Sequence, residues 1–102
     1  MHLEEINNCI AEYEQYNFKF SDDFLLKIRK ECNSWKNDWL VSFRKQLRRI
    51  KKDEGTEAYD EMNGKRVTAP IVKDRYMAIY FLAQDDGSYF VYDYLIKVRD
   101  KI

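Results

Sequence analysis

The second half of the chain constrains the fold most, because it holds three short segments with strand character. These are KRVTAPIVK, RYMAIYFLAQ and SYFVYDYLIK. Asp85-Asp86-Gly87 between the last two is typical of a hairpin. The middle segment is apolar on both faces, which is typical of a central, covered strand. Pro70 in the first segment indicates an edge position or a bend, since proline lacks a backbone donor. We therefore predict an antiparallel meander over residues 64–99.

The first twenty residues predict a helix and then a short strand. Apolar side chains recur at helical spacing in residues 1–15, at Leu3, Ile6, Ile10 and Tyr13. Aromatic and polar residues then alternate over residues 16–20, which favours a half-buried strand over an aromatic linker. The order so far is helix, then strand.

Residues 21–54 predict helical structure with one open question. Ser21 is a good N-cap and two aspartates follow it. The apolar stripe from Phe24 to Ile50 keeps nearly helical period, which favours one long helix. Typical helix lengths favour a break instead, with Asn33 or Ser34 as the cap of a second helix. In either case the helix should end near Gly55, and the polar residues 55–64 read as a loop.

A chain of 102 residues fits a single domain over residues 1–102. The predicted class is α+β. An N-terminal helix occupies residues 1–15, and a short strand and a helical hairpin, or one long helix, occupy residues 16–54. A small antiparallel sheet of three or four strands completes the fold.

Charge is balanced in number but uneven along the chain. Eighteen basic and eighteen acidic side chains give a formal net charge of zero, whereas nucleic-acid-binding domains usually carry a basic excess. The first sixteen residues hold four glutamates and no lysine or arginine, so the remainder carries +4. A basic run on the predicted helix is either a solvated face or a surface for RNA phosphates or an acidic partner; it comprises Arg44, Lys45, Arg48, Lys51 and Lys52. The acidic N-terminal helix either shields such a surface or completes the core.

Most catalytic and ligand-binding motifs are absent from the sequence. Cys9 and Cys32 show no metal-ligand spacing, and His2 is the only histidine. The three glycines form no phosphate-binding loop. We therefore predict no cofactor and no metal. With no signal peptide and no apolar run that could cross a bilayer, a cytoplasmic location without membrane contact is expected.

Basic residues at the ends of the predicted strands form the candidate site. Strand ends that are distant in sequence can meet at one edge of an antiparallel meander. Cations there can neutralise the charge that develops on a phosphorane, and a tyrosine or lysine can move the proton of the 2′-hydroxyl. The alternative is ordinary charge pairing at exposed strand ends. The candidate catalytic residues are Lys65, Arg66, Arg75, Tyr94, Lys97 and Arg99.

The element order resembles the RelE/ParE superfamily of toxins from toxin–antitoxin systems. The resemblance covers residues 16–102, through YNFKFSDDFLLKIRK, FRKQLRRIKK and GKRVTAPIVKDRYMAIYFLAQDDGSYFVYDYLIKVRDK. It implies a metal-independent endoribonuclease with basic residues on the sheet. Lys65 and Arg66 match the first meander strand, Arg75 is nearest to the central-strand arginine, and the last strand ends in two cations.

The chain departs from the family pattern at several points. If Tyr76 aligns with the tyrosine that commonly precedes the catalytic arginine, Met77 stands in place of that arginine. The sequence ends before the C-terminal aromatic of several members, has zero net charge, and carries an additional N-terminal helix.

Two functions follow from these observations. The first is a RelE-like toxin that acts on ribosome-associated mRNA through basic and tyrosine residues on the sheet, with an antitoxin or another protein as partner. The second is a small non-enzymatic protein-binding module, such as an inhibitor encoded by a phage or another mobile element. The sequence leaves the oligomeric state open.

Overall fold

The computed structural model describes residues 2–52, 56–57, 61–62, 65–66 and 71–97. It confirms the α+β class, with helices first and a sheet after them. The helices are α1 (His2–Glu14), α2 (Asp22–Glu31) and α3 (Asn37–Lys51), with a 3-10 turn at Cys32–Ser34. The strands are β1 (Phe18–Phe20), β2 (Thr56–Glu57), β3 (Glu61–Met62), β4 (Lys65–Arg66), β5 (Ile71–Lys73), β6 (Met77–Ala83) and β7 (Tyr89–Ile96).

The helical region is broken into two helices, as the hairpin alternative predicts. Ser21 caps α2, because its hydroxyl oxygen accepts a hydrogen bond of 3.0 Å from the Phe24 amide. The chain then leaves helical geometry at Trp35 (ψ 150°). Neither residue predicted to cap α3 does so. Asn33 instead accepts from the Leu3 amide at the start of α1, and Ser34 donates back to the Glu31 carbonyl.

The sheet differs from the prediction in strand number and direction. Its order is β1-β7-β6-β5-β2. The meander β5–β6–β7 is antiparallel as predicted, and β6 is central. The predicted sheet of three or four antiparallel strands is nevertheless a mixed sheet of five, because β1 joins β7 in parallel. The reason is tertiary: the two helices carry the chain away from β1, which leaves it free to pair in either direction.

The region between α3 and β5 also holds strands that the sequence did not indicate. The predicted loop at 55–64 contains β2 and β3, so that prediction was wrong. The predicted strand 65–73 is represented by β4, which pairs with β3 in a separate two-stranded sheet, and by β5. Pro70 and Gly55 lie outside the described residues.

A bulge in β7 exchanges the two faces of that strand. Tyr80 pairs with Asp93 and Phe81 with Val91, so Tyr92 is one residue in excess. Val91 and Tyr94, which strict alternation puts on opposite faces, are 0% and 1% exposed and both join the core.

All three helices belong to one core on one side of the sheet. α2 packs on β7, α3 packs on β5 and β6, and α1 lies against α3 and the 3-10 turn. Alternate residues of β6 enter this core, namely Met77, Ile79 and Phe81. Within the described part of the chain, no helix is both long enough and apolar enough to span a membrane.

Candidate nucleic-acid interface

Asp74 organises the turn between β5 and β6. Its carboxylate accepts hydrogen bonds from the Ser42 hydroxyl (2.7 and 2.9 Å to its two oxygens) and from Gln46 Nε2 (2.7 Å). It also accepts from the amides of Tyr76 (2.7 Å) and Met77 (2.9 Å), as aspartates in tight turns do. Ser42 and Gln46 are 2% and 0% exposed, so this carboxylate satisfies two buried side chains of α3 and fixes the turn to that helix.

The pKa of Asp74 reflects these contacts. Burial by itself raises the pKa of the carboxyl group, because it disfavours the charged form. The hydrogen bonds from Ser42 and from the two amides outweigh burial, and the pKa is lowered. Asp74 is therefore a stable anion at neutral pH.

Arg75 is an exposed cation held against a phenol ring. Its Nη2 donates to the Tyr76 hydroxyl oxygen at 2.7 Å, and its guanidinium carbon lies 4.8 Å from the ring centroid. The hydrogen bond to Tyr76 raises the pKa of the guanidinium. The side chain remains open to solvent. Arg75 can therefore contact an anionic ligand without leaving its protein partner.

Two further elements bring cations to the same turn. Lys97, at the end of β7, donates from Nζ to the Asp74 carbonyl (3.0 Å), and its amide donates to the Tyr76 carbonyl (2.7 Å). Arg49 of α3 donates to the Lys73 carbonyl at 3.0 Å. We call Arg49, Lys73, Arg75 and Lys97 the cationic end of the sheet.

Of the predicted catalytic residues, the structure brings Arg75 and Lys97 together. Lys65 and Arg66 form β4 in the separate two-stranded sheet, and only their backbone pairing is described. Arg99 lies outside the described residues.

Tyr94, the predicted catalytic tyrosine, is a core residue in this fold. It is 1% exposed and its ring meets those of Phe24 and Trp35 at 5.8 and 5.6 Å. Its hydroxyl donates to the Glu31 carboxylate. Burial, followed by the bond to Glu31, raises the pKa of Tyr94. A proton held in this way is poorly suited to transfer at neutral pH.

We expect Tyr94→Phe to lower the free energy of unfolding by about 1–2 kcal/mol, because it removes one hydrogen bond to a charged group and keeps the ring. Urea denaturation measures this change. Any activity of the protein on RNA should be retained in this variant. A large loss of activity with unchanged stability would place Tyr94 in the chemistry instead.

The basic side chains of α3 do not form one common surface, because each has different neighbours. Arg44 forms an ion pair of 3.8 Å with Glu5 of α1, with both side chains about half exposed. Arg48 lines a cleft of about 480 Å³ between α1 and α3. Lys51 lies 4.1 Å above the Tyr16 ring, and the charge of Lys45 helps to lower the pKa of Asp74. Lys52 ends the helix and is exposed.

The N-terminal helix completes the core, and two of its glutamates line the cleft that it shares with Arg44 and Arg48. Its apolar side completes the core, with Ile6 at 0% and Ile10 at 2% exposure. Its acidic side faces the basic residues of α3. An exposed ion pair such as Glu5–Arg44 adds at most about 1 kcal/mol of stability, so α1 is held mainly by its apolar contacts.

Neither a cluster of metal-binding side chains in the described residues nor a similar known protein identifies a functional site. Cys9 and Cys32 are buried free thiols, and burial, with the Glu12 charge, raises the pKa of Cys9 to about 11. The described residues contain no cluster of three or more potential metal ligands. No protein-family model, curated protein or solved structure matches this chain.

Sequence reasoning missed the residues that hold the cationic end in place. The signal for Ser42 and Gln46 was present: two polar residues four apart in a helix, beside the apolar Phe43 and Leu47. Met77, which stands where the resemblance implies an arginine, is 0% exposed in the core. Under this alignment, a cation that contacts RNA would have to come from another position.

Proposed function

We propose that this protein is a RelE-like toxin that acts on ribosome-associated mRNA at the cationic end of its sheet. The observation that carries the proposal is the meeting of Arg75, Tyr76 and Lys97 at one turn. The element order adds support, since β1, α2, α3 and the meander follow one another as in the resemblance. An antitoxin that covers this surface is the corresponding partner, and the cytoplasm the corresponding location.

The chemistry of the proposal needs no metal. The 2′-oxygen of one nucleotide attacks the adjacent phosphorus, and the 5′-oxygen of the next nucleotide leaves with a proton. Arg75 and Lys97 balance the additional negative charge of the phosphorane. The Tyr76 hydroxyl, which contacts Arg75, gives its proton to the leaving 5′-oxygen and takes the proton of the attacking 2′-hydroxyl in return, so no proton is gained or lost.

A second candidate function has its own support. Leu26 of α2 and Val41 of α3 are 72% and 61% exposed, and α1 offsets part of the basic charge of α3. A partner that covers these positions would fit a protein-binding module without enzymatic activity.

Growth after induced expression tests the first candidate. We expect arrest by the wild type and by Lys30→Gln, a control at an exposed position of α2. Arg75→Gln/Lys97→Gln should abolish arrest. In a translation reaction, this double variant should cut ribosome-bound mRNA at least about 100-fold more slowly than the wild type. A loss of this size is usual when charge stabilisation of a transition state is removed. Thermal unfolding verifies that each variant is folded.

The opposite result is equally clear. A wild-type protein that neither arrests growth nor cuts translating mRNA contradicts the toxin function and favours the binding module. Arrest that persists in the folded double variant places the toxic surface elsewhere.

A further inference from the structure

The face of the sheet opposite the helices has a defined composition. Residues paired in register project from the same face, so the partners of the outward-facing Ala78, Tyr80 and Leu82 can be read from the ladder. Lys73 and Leu95 pair with Ala78, Ile71 and Asp93 pair with Tyr80, and Phe90 pairs with Leu82. Lys19 of β1 pairs with Phe90. We call this the outer face.

Three aromatic rings lie side by side on the outer face. The centroids of Tyr80 and Tyr92 are 6.2 Å apart, and those of Phe90 and Tyr92 are 6.4 Å apart with planes 24° from parallel. All three side chains are half-buried. Phe90 and Tyr92 share this face by ordinary alternation, and the bulge after them turns Tyr94 to the opposite face. We call Tyr80, Phe90 and Tyr92 the aromatic strip.

Cations border the aromatic strip on several sides. Lys19 lies on β1 next to Phe90, and Lys73 lies on β5 at the other side. The cationic end of the sheet adds Arg75 and Lys97. Two acids near the strip are paired within the protein: Asp93 with Lys27 at 3.0 Å and Asp86 with Lys19 at 3.4 Å. The Asp74 carboxylate is enclosed by hydrogen bonds from α3 and from the turn, and Lys73 and Arg75 are exposed at this end of the sheet.

We propose that unpaired bases of single-stranded RNA stack on the aromatic strip, with the phosphates directed to the cationic end of the sheet. Aromatic rings bordered by cations are the usual construction of single-strand binding surfaces, because every base has a π-face and every linkage a negative charge. The inference rests on the proposed function only in taking RNA as the ligand, since stacking requires no cleavage.

Binding of a fluorescent eight-nucleotide 2′-O-methyl RNA, which cannot be cleaved through its 2′-oxygen, tests the proposal by anisotropy. Phe90→Leu/Tyr92→Leu should weaken binding at least about 10-fold, because each stacked base contributes about 1–3 kcal/mol. Tyr92→Phe should keep wild-type affinity. Tyr16→Leu is the matched control, since Tyr16 is 44% exposed but contacts α1 and α3 residues. A duplex of the same sequence should bind more weakly and respond little to these changes.

Crosslinking of a 4-thiouridine oligonucleotide to the wild type gives a second measurement that depends on no variant. Crosslinks at Tyr80, Phe90 or Tyr92 are expected, and crosslinks confined to the helices would overturn the proposal. Full affinity in the Leu double variant, together with loss in Arg75→Gln, also overturns it but leaves the toxin function intact. If the strip variants bind RNA more weakly while wild-type expression never arrests growth, RNA stacking on the aromatic strip is supported and the toxin function fails. A wild type that binds no single-stranded RNA overturns the proposal. Strip variants that lose the binding of a protein but keep RNA affinity overturn it as well.

Discussion

Phe24→Ala is expected to lower the free energy of unfolding by about 3–5 kcal/mol, the usual cost of emptying a buried phenylalanine site. Phe24 is 1% exposed and lies at the centre of the aromatic core. Its ring stacks on Phe20 at 5.6 Å and on Phe43 at 6.5 Å, and it meets Tyr94 edge-on at 5.8 Å. These contacts join β1, α2, α3 and β7, so the cavity cannot close by the movement of one element.

Urea denaturation followed by tryptophan fluorescence measures this effect, and α2 supplies its own control. Leu26 is two residues away on the same helix but 72% exposed, so Leu26→Ala should change stability by no more than about 0.5 kcal/mol. Similar losses in both variants would contradict the placement of Phe24 in the core.

Asp74→Ala is expected to have the next largest effect, a loss of about 2–5 kcal/mol, because each buried donor left without an acceptor costs about 1–3 kcal/mol. Ser42 and Gln46 would lose their acceptor in the protein interior, and the Tyr76 and Met77 amides would lose theirs in the turn. The cationic end should loosen as well, since Arg75 and Lys97 are attached to the same turn. Ser42→Ala, which removes a single donor, should cost only about 1 kcal/mol.

The pH dependence of stability distinguishes the Asp74 charge from the side-chain volume. The pKa of Asp74 is lower in the folded state, so its contribution is fully present above the ordinary aspartate pKa of about 3.9 and is lost as pH falls through the folded value. Wild type should therefore exceed Asp74→Asn in unfolding free energy at pH 7, and the difference should shrink below about pH 4. A difference that stays constant from pH 7 to pH 3 would mean that the carboxylate charge contributes nothing.

Local signals in the sequence predicted several elements correctly, because local chemistry decides them. Ser21 caps α2 through its own side chain. The turn at residues 85–87 closes the β6–β7 hairpin, with Gly87 at φ 87°, a conformation that glycine adopts without strain. The apolar residues 76–84 predicted a central, covered strand. β6 is central, but the helices cover only the face that carries Met77, Ile79 and Phe81.

The candidate site was predicted in part. Arg75 and Lys97 were named because strand ends can meet in a meander, and they do meet at the Asp74 turn. Tyr94 was named because it lies close in sequence to Lys97, but the bulge at Tyr92 turns it into the core.

By itself, the sequence determined the class of fold, the Ser21 cap of α2, the hairpin and the strand that lies in the middle, because neighbouring residues carry those instructions. Only the tertiary structure decided that β1 runs parallel to β7, that Tyr92 bulges outward while Tyr94 turns inward, and that Asp74 joins α3 to the sheet. The parallel pairing of β1, the burial of Tyr94 and the link from Asp74 to α3 depend on contacts between residues at least 28 positions apart, and such contacts form only when the elements pack around a common core.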